Sequence, residues 1–133
     1  MSNKHGLKNM EFGIYIRELR EKRGLTLAQV AERLDLSINY VSQLERNLRK
    51  PTDKLVIEFS QLYKVDQDIL FRKSGQIPLR VRKVINRNTN LQKSLSFVDK
   101  RNLSQEVEKQ IVIRIHRMIA EFFNVDESDI LSK

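Results

Sequence analysis

Residues 26–44 have the sequence TLAQVAERLDLSINYVSQL, in which a short linker joins two amphipathic segments of about eight residues each. Thr26 and Gln29 fit a capping box, where a hydroxyl and an amide side chain bond the backbone at the start of a helix. Ser37 can cap the second segment. The linker is short, and Ala31 is small enough for two backbones to approach closely. These features predict two steeply crossed helices, a helix-turn-helix.

The residues on either side of this pair also have helical periodicity. Upstream, apolar residues recur at i, i+4 and i+7, namely Phe12, Ile16 and Leu19. Downstream, a fourth helix after Pro51 carries the apolar stripe Leu55, Val56, Phe59 and Leu62. Asp66 can cap a short fifth helix that contains Ile69 and Leu70. No segment alternates with period two, so we predict an all-α N-terminal unit.

Composition narrows the class of protein. The 133 residues include 25 Lys and Arg against 17 Asp and Glu, a formal charge of +8, which favours a polyanionic partner. The chain has no Cys, so disulfide scaffolds, zinc–thiolate sites and thiol catalysis are excluded. The longest apolar run is three residues and the first ten residues lack the apolar core of a signal peptide. We therefore expect a cytoplasmic protein without a membrane span.

Several motifs occur together in the order typical of one family. They are IRELR (16–20), GLT (24–26), VAERL (30–34), LS (36–37), YVSQLERN (40–47), Pro51 and YKVDQDILF (63–71). Through them, residues 12–71 resemble the Xre/Cro-like (lambda-repressor-like) helix-turn-helix domain. The resemblance implies a five-helix DNA-binding domain whose third helix enters the major groove of double-stranded DNA. We expect an all-α protein in which a C-terminal helical extension follows this domain.

The resemblance assigns base contacts to the third helix, at Ile38, Asn39, Ser42 and Gln43. Asn39 and Gln43 are i, i+4 neighbours, and each can form a bidentate pair with an adenine edge. The alternative is that both belong to a solvated helix face. Contacts to the DNA backbone are expected from Thr26, Ser37, Tyr40, Arg46, Arg49, Lys50 and Lys54. The Tyr40 ring could instead pack on the first helix.

Three positions differ from the family pattern, and a fourth is acidic although it lies on the helix expected to contact DNA. Asp35 and Asn47 stand where Gly is common, and both residue types tolerate the left-handed conformation that these positions require. Leu27 replaces a Gln that could donate a hydrogen bond, so that contact is absent or replaced by packing. Glu45 is acidic, and we expect it to pair with Arg17 or Arg20.

The middle of the chain is strongly basic. Residues 72–101 hold nine basic residues and one acidic residue, Asp99. A short helix after Pro78 leaves one set of cations exposed, namely Arg80, Arg82, Lys83 and Arg87. This set is either an additional patch for the DNA backbone or a solvated basic face.

The pattern of the C-terminal segment predicts a longer helix, roughly residues 105–123, which Ser104 can cap. Its broad apolar face begins at Val107 and continues through Ile111, Ile115, Met118, Ile119, Phe122 and Phe123. This face either packs on the N-terminal unit as core or meets a second copy of the chain. Because palindromic DNA sites require a symmetric dimer, we predict that the six residues from Ile111 onward form a homodimer interface.

The predicted organisation has four segments. A flexible arm (1–10) precedes the helix-turn-helix domain (11–73), a basic linker with short helices (74–103) and the dimerisation helix (104–133). Catalytic motifs are absent from the sequence, so we expect a non-enzyme without metal or cofactor. The predicted function is that of a transcriptional regulator that binds double-stranded DNA with sequence specificity. The resemblance implies a repressor that binds a palindromic operator as a dimer. The alternatives are an antitoxin-like or anti-repressor-like module whose C-terminal helix binds a protein, and non-specific nucleic-acid binding through residues 72–101.

Overall fold

The computed structural model describes residues 3–132, with side chains for residues 11–132. This part of the chain is all-helical and contains no strand. The helices are α1 (Asn3–Lys22), α2 (Leu27–Leu34), α3 (Ile38–Glu45), α4 (Asp53–Tyr63), α5 (Gln67–Lys73), α6 (Leu79–Asn86), α7 (Thr89–Lys100), α8 (Gln105–Phe123) and α9 (Glu127–Leu131). The predicted all-α fold class is confirmed.

Contacts divide the chain into two units, residues 1–83 and residues 84–133. The first unit contains α1 to α5 and the start of α6. Its boundary therefore lies beyond the end predicted for the helix-turn-helix domain, within the predicted basic linker. Most of the predicted arm, residues 1–10, belongs to α1, while residues 1–2 lie outside the described residues. The flexibility of the arm stays a prediction, as do the four segment boundaries.

The apolar stripes of α1 to α5 meet in one core. Its buried residues are Phe12, Ile16, Leu19, Val30, Ala31, Val41, Leu44, Leu55, Val56, Phe59, Tyr63, Leu70 and Phe71. Phe59 lies at the centre of an aromatic cluster, edge-on to Phe12 at 6.2 Å between ring centroids and stacked on Tyr63 at 5.9 Å. This core anchors the inner sides of α2 and α3, and so fixes which side of α3 is left to solvent.

The helices α4, α5 and α8 begin where the sequence predicts. The Oγ1 of Thr52 accepts a hydrogen bond from the Leu55 amide at 3.2 Å, and Asp66 accepts one from the Asp68 amide at 2.8 Å. Ser104 caps α8 in the same way, through the Val107 amide at 3.3 Å. Each cap satisfies a backbone N–H that has no partner within its helix.

The second unit contains α7, α8, α9 and the last turn of α6. The predicted long helix is confirmed, because α8 spans Gln105–Phe123. The chain turns back at Asn124, which has a left-handed φ of 54°, and α9 then packs against α8. Ala120 is the buried residue of α8.

Candidate nucleic-acid interface

The α2–α3 pair is built from two capped helices and a tight turn. The Thr26 hydroxyl accepts a hydrogen bond from the Gln29 amide at 3.1 Å, and the Gln29 side chain accepts one from the Thr26 amide at 2.8 Å, which confirms the capping box. Asp35 then adopts a left-handed φ of 56°, as predicted. Ser37 caps α3 through the Tyr40 amide at 3.0 Å. Two of the predicted backbone-contact residues, Thr26 and Ser37, therefore lie at helix N-termini, and both are exposed.

The structure brings the four predicted base-reading residues to one side of α3. Successive residues of an α-helix are about 100° apart, so Ile38, Asn39, Ser42 and Gln43 lie within an arc of about 140°. Val41 and Leu44 are fully buried on the opposite side. Ile38 and Asn39 are exposed, whereas Ser42 and Gln43 are half-buried. Helix α3 therefore presents a largely polar face outward, while its opposite side is packed against the core.

Four cations follow α3 or lie in the first turn of α4. Arg46, Arg49, Lys50 and Lys54 are all exposed, as backbone contacts would require. Arg49 folds back over α3: its Nε donates a hydrogen bond to Gln43 Oε1 at 3.1 Å, and its guanidinium carbon lies 5.0 Å from the centre of the Tyr40 ring. Tyr40 is half-buried and packs against the core. The Tyr40–Gln43–Arg49 contacts were not anticipated from the sequence.

A buried ion pair links α3 to α1. The Glu45 carboxylate accepts hydrogen bonds from Arg20 Nε at 2.7 Å and from Arg20 Nη2 at 3.0 Å. Of the two partners predicted for Glu45, Arg20 is the one found; Arg17 pairs with Glu21. The hydrogen bond with Glu45 raises the pKa of Arg20 above its ordinary value. This acidic residue therefore orients α3 and does not add negative charge to the outward face.

A second link joins the end of α3 to α1. Asn47 has the predicted left-handed conformation, with φ at 60°, and its Oδ1 accepts a hydrogen bond from the Gly13 amide at 3.0 Å. A Cβ added at Gly13 would lie 2.4 Å from Asn47 Oδ1 and 2.5 Å from the Glu45 carbonyl oxygen. The backbones approach so closely that Gly13 is required there. Sequence reasoning anticipated the Asn47 backbone but missed the role of its side chain.

The additional basic patch is partly neutralised by acidic residues of the first unit. Arg82 forms a bidentate pair with Asp53, at 2.8 and 3.0 Å, and lies over the Phe71 ring at 5.4 Å. The hydrogen bond from Arg82 lowers the pKa of Asp53. The Nη1 of Arg80 lies 3.4 Å from Asp66 Oδ1 and 3.6 Å from Asp68 Oδ1. The two remaining members of the set, Lys83 and Arg87, are exposed.

The predicted apolar face of α8 is largely exposed within the second unit. We define the α8 face as Val107, Ile111, Ile115, Met118, Ile119, Phe122 and Phe123. Phe122 is 82% exposed, Phe123 67% and Met118 63%, while Ile111 is half-buried. Within the second unit, most residues of this face are therefore not buried by α7 or α9, and both uses predicted for the face stay predictions. Large apolar patches left in water are typical of surfaces that bind something.

Residues 11–132, whose side chains the structure describes, contain no group of three or more His, Asp or Glu side chains placed to hold a metal ion. None of the helices described in this range is both long and apolar enough to cross a membrane.

Comparison with known proteins identifies the class of the N-terminal unit. Residues 16–70 match the protein-family model described as Helix-turn-helix. This match covers α2, α3 and α4, most of α5, and the end of α1. The segment is therefore a helix-turn-helix domain, and the predicted resemblance to the Xre/Cro-like family is confirmed.

Three relatives are similar to the chain over 54 to 64 residues. An uncharacterized HTH-type transcriptional regulator of Mycobacterium tuberculosis is 35% identical over 63 residues, which are 47% of this chain and 45% of the relative. The HTH-type transcriptional regulator ImmR of Bacillus subtilis is 36% identical over 64 residues, 48% of this chain and 50% of the relative. The propionyl-CoA carboxylase regulator of Cereibacter sphaeroides is 43% identical over 54 residues, 41% of this chain and 12% of the relative. The chain thus covers about half the length of the first two relatives, and no solved structure gives a significant match.

Proposed function

We propose that this protein is a transcriptional regulator that binds double-stranded DNA with sequence specificity. The observation that carries the proposal is the outward face of α3, where Ile38, Asn39, Ser42 and Gln43 lie together on a helix anchored by Val41 and Leu44. A capped helix of this kind fits the major groove, where amide side chains can bond base edges. The exposed cations Arg46, Lys50 and Lys54 are then suited to phosphates, as are Thr26 and Ser37 at the helix starts.

The names of the relatives and the charge of the chain support the same proposal. The relatives from M. tuberculosis and B. subtilis are named as HTH-type transcriptional regulators. A net charge of +8 favours association with a polyanion such as DNA. On this proposal the protein is a regulator without catalytic activity, cofactor or metal, and acts in the cytoplasm, where it can reach DNA.

We further propose that two chains bind a palindromic operator and repress transcription by occupying a promoter. The α8 face supports this part of the proposal, since an exposed apolar surface on one helix can pair with its own copy about a two-fold axis. A dimer of helix-turn-helix domains contacts two half-sites separated by about one helical turn of DNA.

Selection from random DNA, followed by binding titrations, tests the proposal. We expect the purified chain to select a palindromic sequence, and the double substitution Asn39→Ala/Gln43→Ala to abolish most of its preference. Each bidentate pair with a base is worth about 1–3 kcal/mol, so the ratio of specific to random affinity should fall by more than about 25-fold.

A matched control removes two exposed amides from other helices, Gln61→Ala in α4 and Gln110→Ala in α8. This control should leave the preference intact. Unchanged specific affinity in the Asn39→Ala/Gln43→Ala variant would refute base contacts by α3. Steep salt dependence with equal affinity for every sequence would instead support non-specific binding through residues 72–101.

A second candidate function rests on the α8 face alone. An antitoxin-like or anti-repressor-like protein would use this face to bind a different protein, with DNA binding secondary. The exposure of Phe122 and Phe123 is compatible with either partner. Sedimentation of the purified chain, with and without substitutions in the α8 face, separates the two possibilities, because a dimer that depends on this face forms in the absence of other proteins.

A further inference from the structure

The Arg49 side chain is held in a defined position on α3. Its Nε donates to Gln43 Oε1 at 3.1 Å, and its guanidinium stacks over the Tyr40 ring at 5.0 Å. Tyr40 is itself packed against the core, which holds its ring in place beneath the Arg49 guanidinium. A hydrogen bond and a cation–π contact together orient a side chain that would otherwise sample many rotamers. Arg49 is thereby placed beside the proposed base-reading residue Gln43.

This contact changes what Gln43 offers to a base. A free Gln amide presents an acceptor, Oε1, beside a donor, Nε2, which matches the donor and acceptor of adenine. Here Oε1 is engaged by a cation. Among residues 11–132, neither Gln43 Nε2 nor the terminal nitrogens of Arg49 have a protein acceptor. The pair therefore presents N–H donors and a positive charge side by side.

We propose that Arg49 and Gln43 act as one donor unit that selects guanine, which makes Arg49 a specificity-determining residue; this inference rests on the proposed function. Guanine offers two acceptors, O6 and N7, in the major groove. Adenine offers only one acceptor, N7, and its N6 amino donor would have to share Gln43 Oε1 with the positively charged Arg49 guanidinium. The sequence assigned Arg49 to the DNA backbone and Gln43 to adenine; the geometry points to a joint contact with a G·C pair.

The test is selection from random DNA with the full chain and with Arg49→Ala. We expect the wild-type chain to select guanine at one position of each half-site. In Arg49→Ala the Gln43 amide is released, and the preference at that position should move to adenine. Titration of duplexes that differ only at this base pair should show the guanine preference falling by about 5- to 150-fold.

Arg46→Ala is the matched control, because it removes an exposed cation from the same loop without touching Gln43. It should weaken binding to all duplexes alike and leave the selected base unchanged. If Arg49→Ala behaves like this control, Arg49 is a phosphate contact and the inference fails while the proposed function stands. If the wild-type chain selects no sequence, the proposed function fails and this inference fails with it.

Discussion

Glu45 is an acidic residue beside a surface that is otherwise basic. Its side chain is 5% exposed and forms a bidentate pair with Arg20, which is 13% exposed. Arg20 also donates to the Leu25 carbonyl at 3.0 Å, so one guanidinium holds α3 and the turn before α2 against α1. Paired in this way, the carboxylate does not repel a polyanion approaching α3.

Removal of the Glu45 side chain should destabilise the folded protein. We expect Glu45→Ala to lower the free energy of unfolding by about 3–5 kcal/mol, because it leaves the Arg20 charge buried without its partner. Chemical denaturation measures the change, and a double-mutant cycle with Arg20→Ala measures the coupling between the two side chains. Arg17→Ala breaks the exposed Arg17–Glu21 pair on the same helix and should cost less than about 0.5 kcal/mol. Equal costs at the two sites would contradict the structural role of Glu45.

Tyr63 makes stability sensitive to alkali. Burial raises the pKa of its hydroxyl to about 12 from 10.0, so the unfolded chain loses this proton at a lower pH than the folded chain does. Stability from this group is present below pH 10 and is lost as the pH rises toward about 12. We expect a phenol that titrates in this range by ultraviolet absorbance and a parallel decrease in the free energy of unfolding.

Tyr63→Phe is the control for this effect. Among the described residues the Tyr63 hydroxyl has no hydrogen-bond partner, so its removal should change stability near neutral pH by less than about 1 kcal/mol. In this variant the phenol titration at a pKa of about 12 should be absent, and the free energy of unfolding should decrease less at alkaline pH. An identical alkaline profile in the two proteins would show that Tyr63 is not its source.

At the level of helices, the caps and the buried side of α3, which position the candidate interface, could be predicted from the sequence. Thr26, Ser37, Thr52 and Ser104 cap the helices that the sequence predicts, because a cap depends on residues within one turn. The outward face of α3 also follows from local information, since Val41 and Leu44 fix which side is buried. Whether that face contacts DNA stays a prediction.

The contacts between distant segments could not be predicted in the same way. Arg82 meets Asp53 across 29 positions, and Asn47 meets Gly13 across 34. Such pairs depend on how whole helices pack, which no local pattern encodes. The Gln43–Arg49 contact spans only six positions, but it depends on the path of the loop after α3, which is not periodic.

The Asp53–Arg82 pair connects the start of α4 to α6. It leads to a prediction for how stability changes at acidic pH. Because Arg82 lowers the pKa of Asp53 below its ordinary 3.8, stability from the pair is present above that pH and is lost as the pH falls through the folded-state pKa. We expect Arg82→Ala to raise the Asp53 pKa toward 3.8 in a carboxyl NMR titration. Both side chains are partly exposed, so the cost in stability should be at most about 1 kcal/mol. An unshifted pKa in the variant would rule out the pair in solution.

At the level of the whole molecule, the proposed dimer depends on the α8 face. If two copies pair there, the double substitution Ile119→Asp/Phe122→Asp should raise the dimer dissociation constant by more than about 100-fold, because it replaces buried apolar contacts with charges. Sedimentation equilibrium measures this change. Gln110→Asp adds a charge outside the α8 face and should leave the dimer intact. A dimer that survives the double substitution would refute this interface.

The exposure of the α8 face has a consequence for how gene control would respond to protein level. If paired chains are the form that holds an operator, then at low abundance the amount of that form grows with the square of the number of chains. A twofold rise in synthesis would then give about a fourfold rise in operator-competent species. Hydrophobic side chains such as Phe122 and Phe123 would thus set a threshold, so that control engages sharply as the protein accumulates.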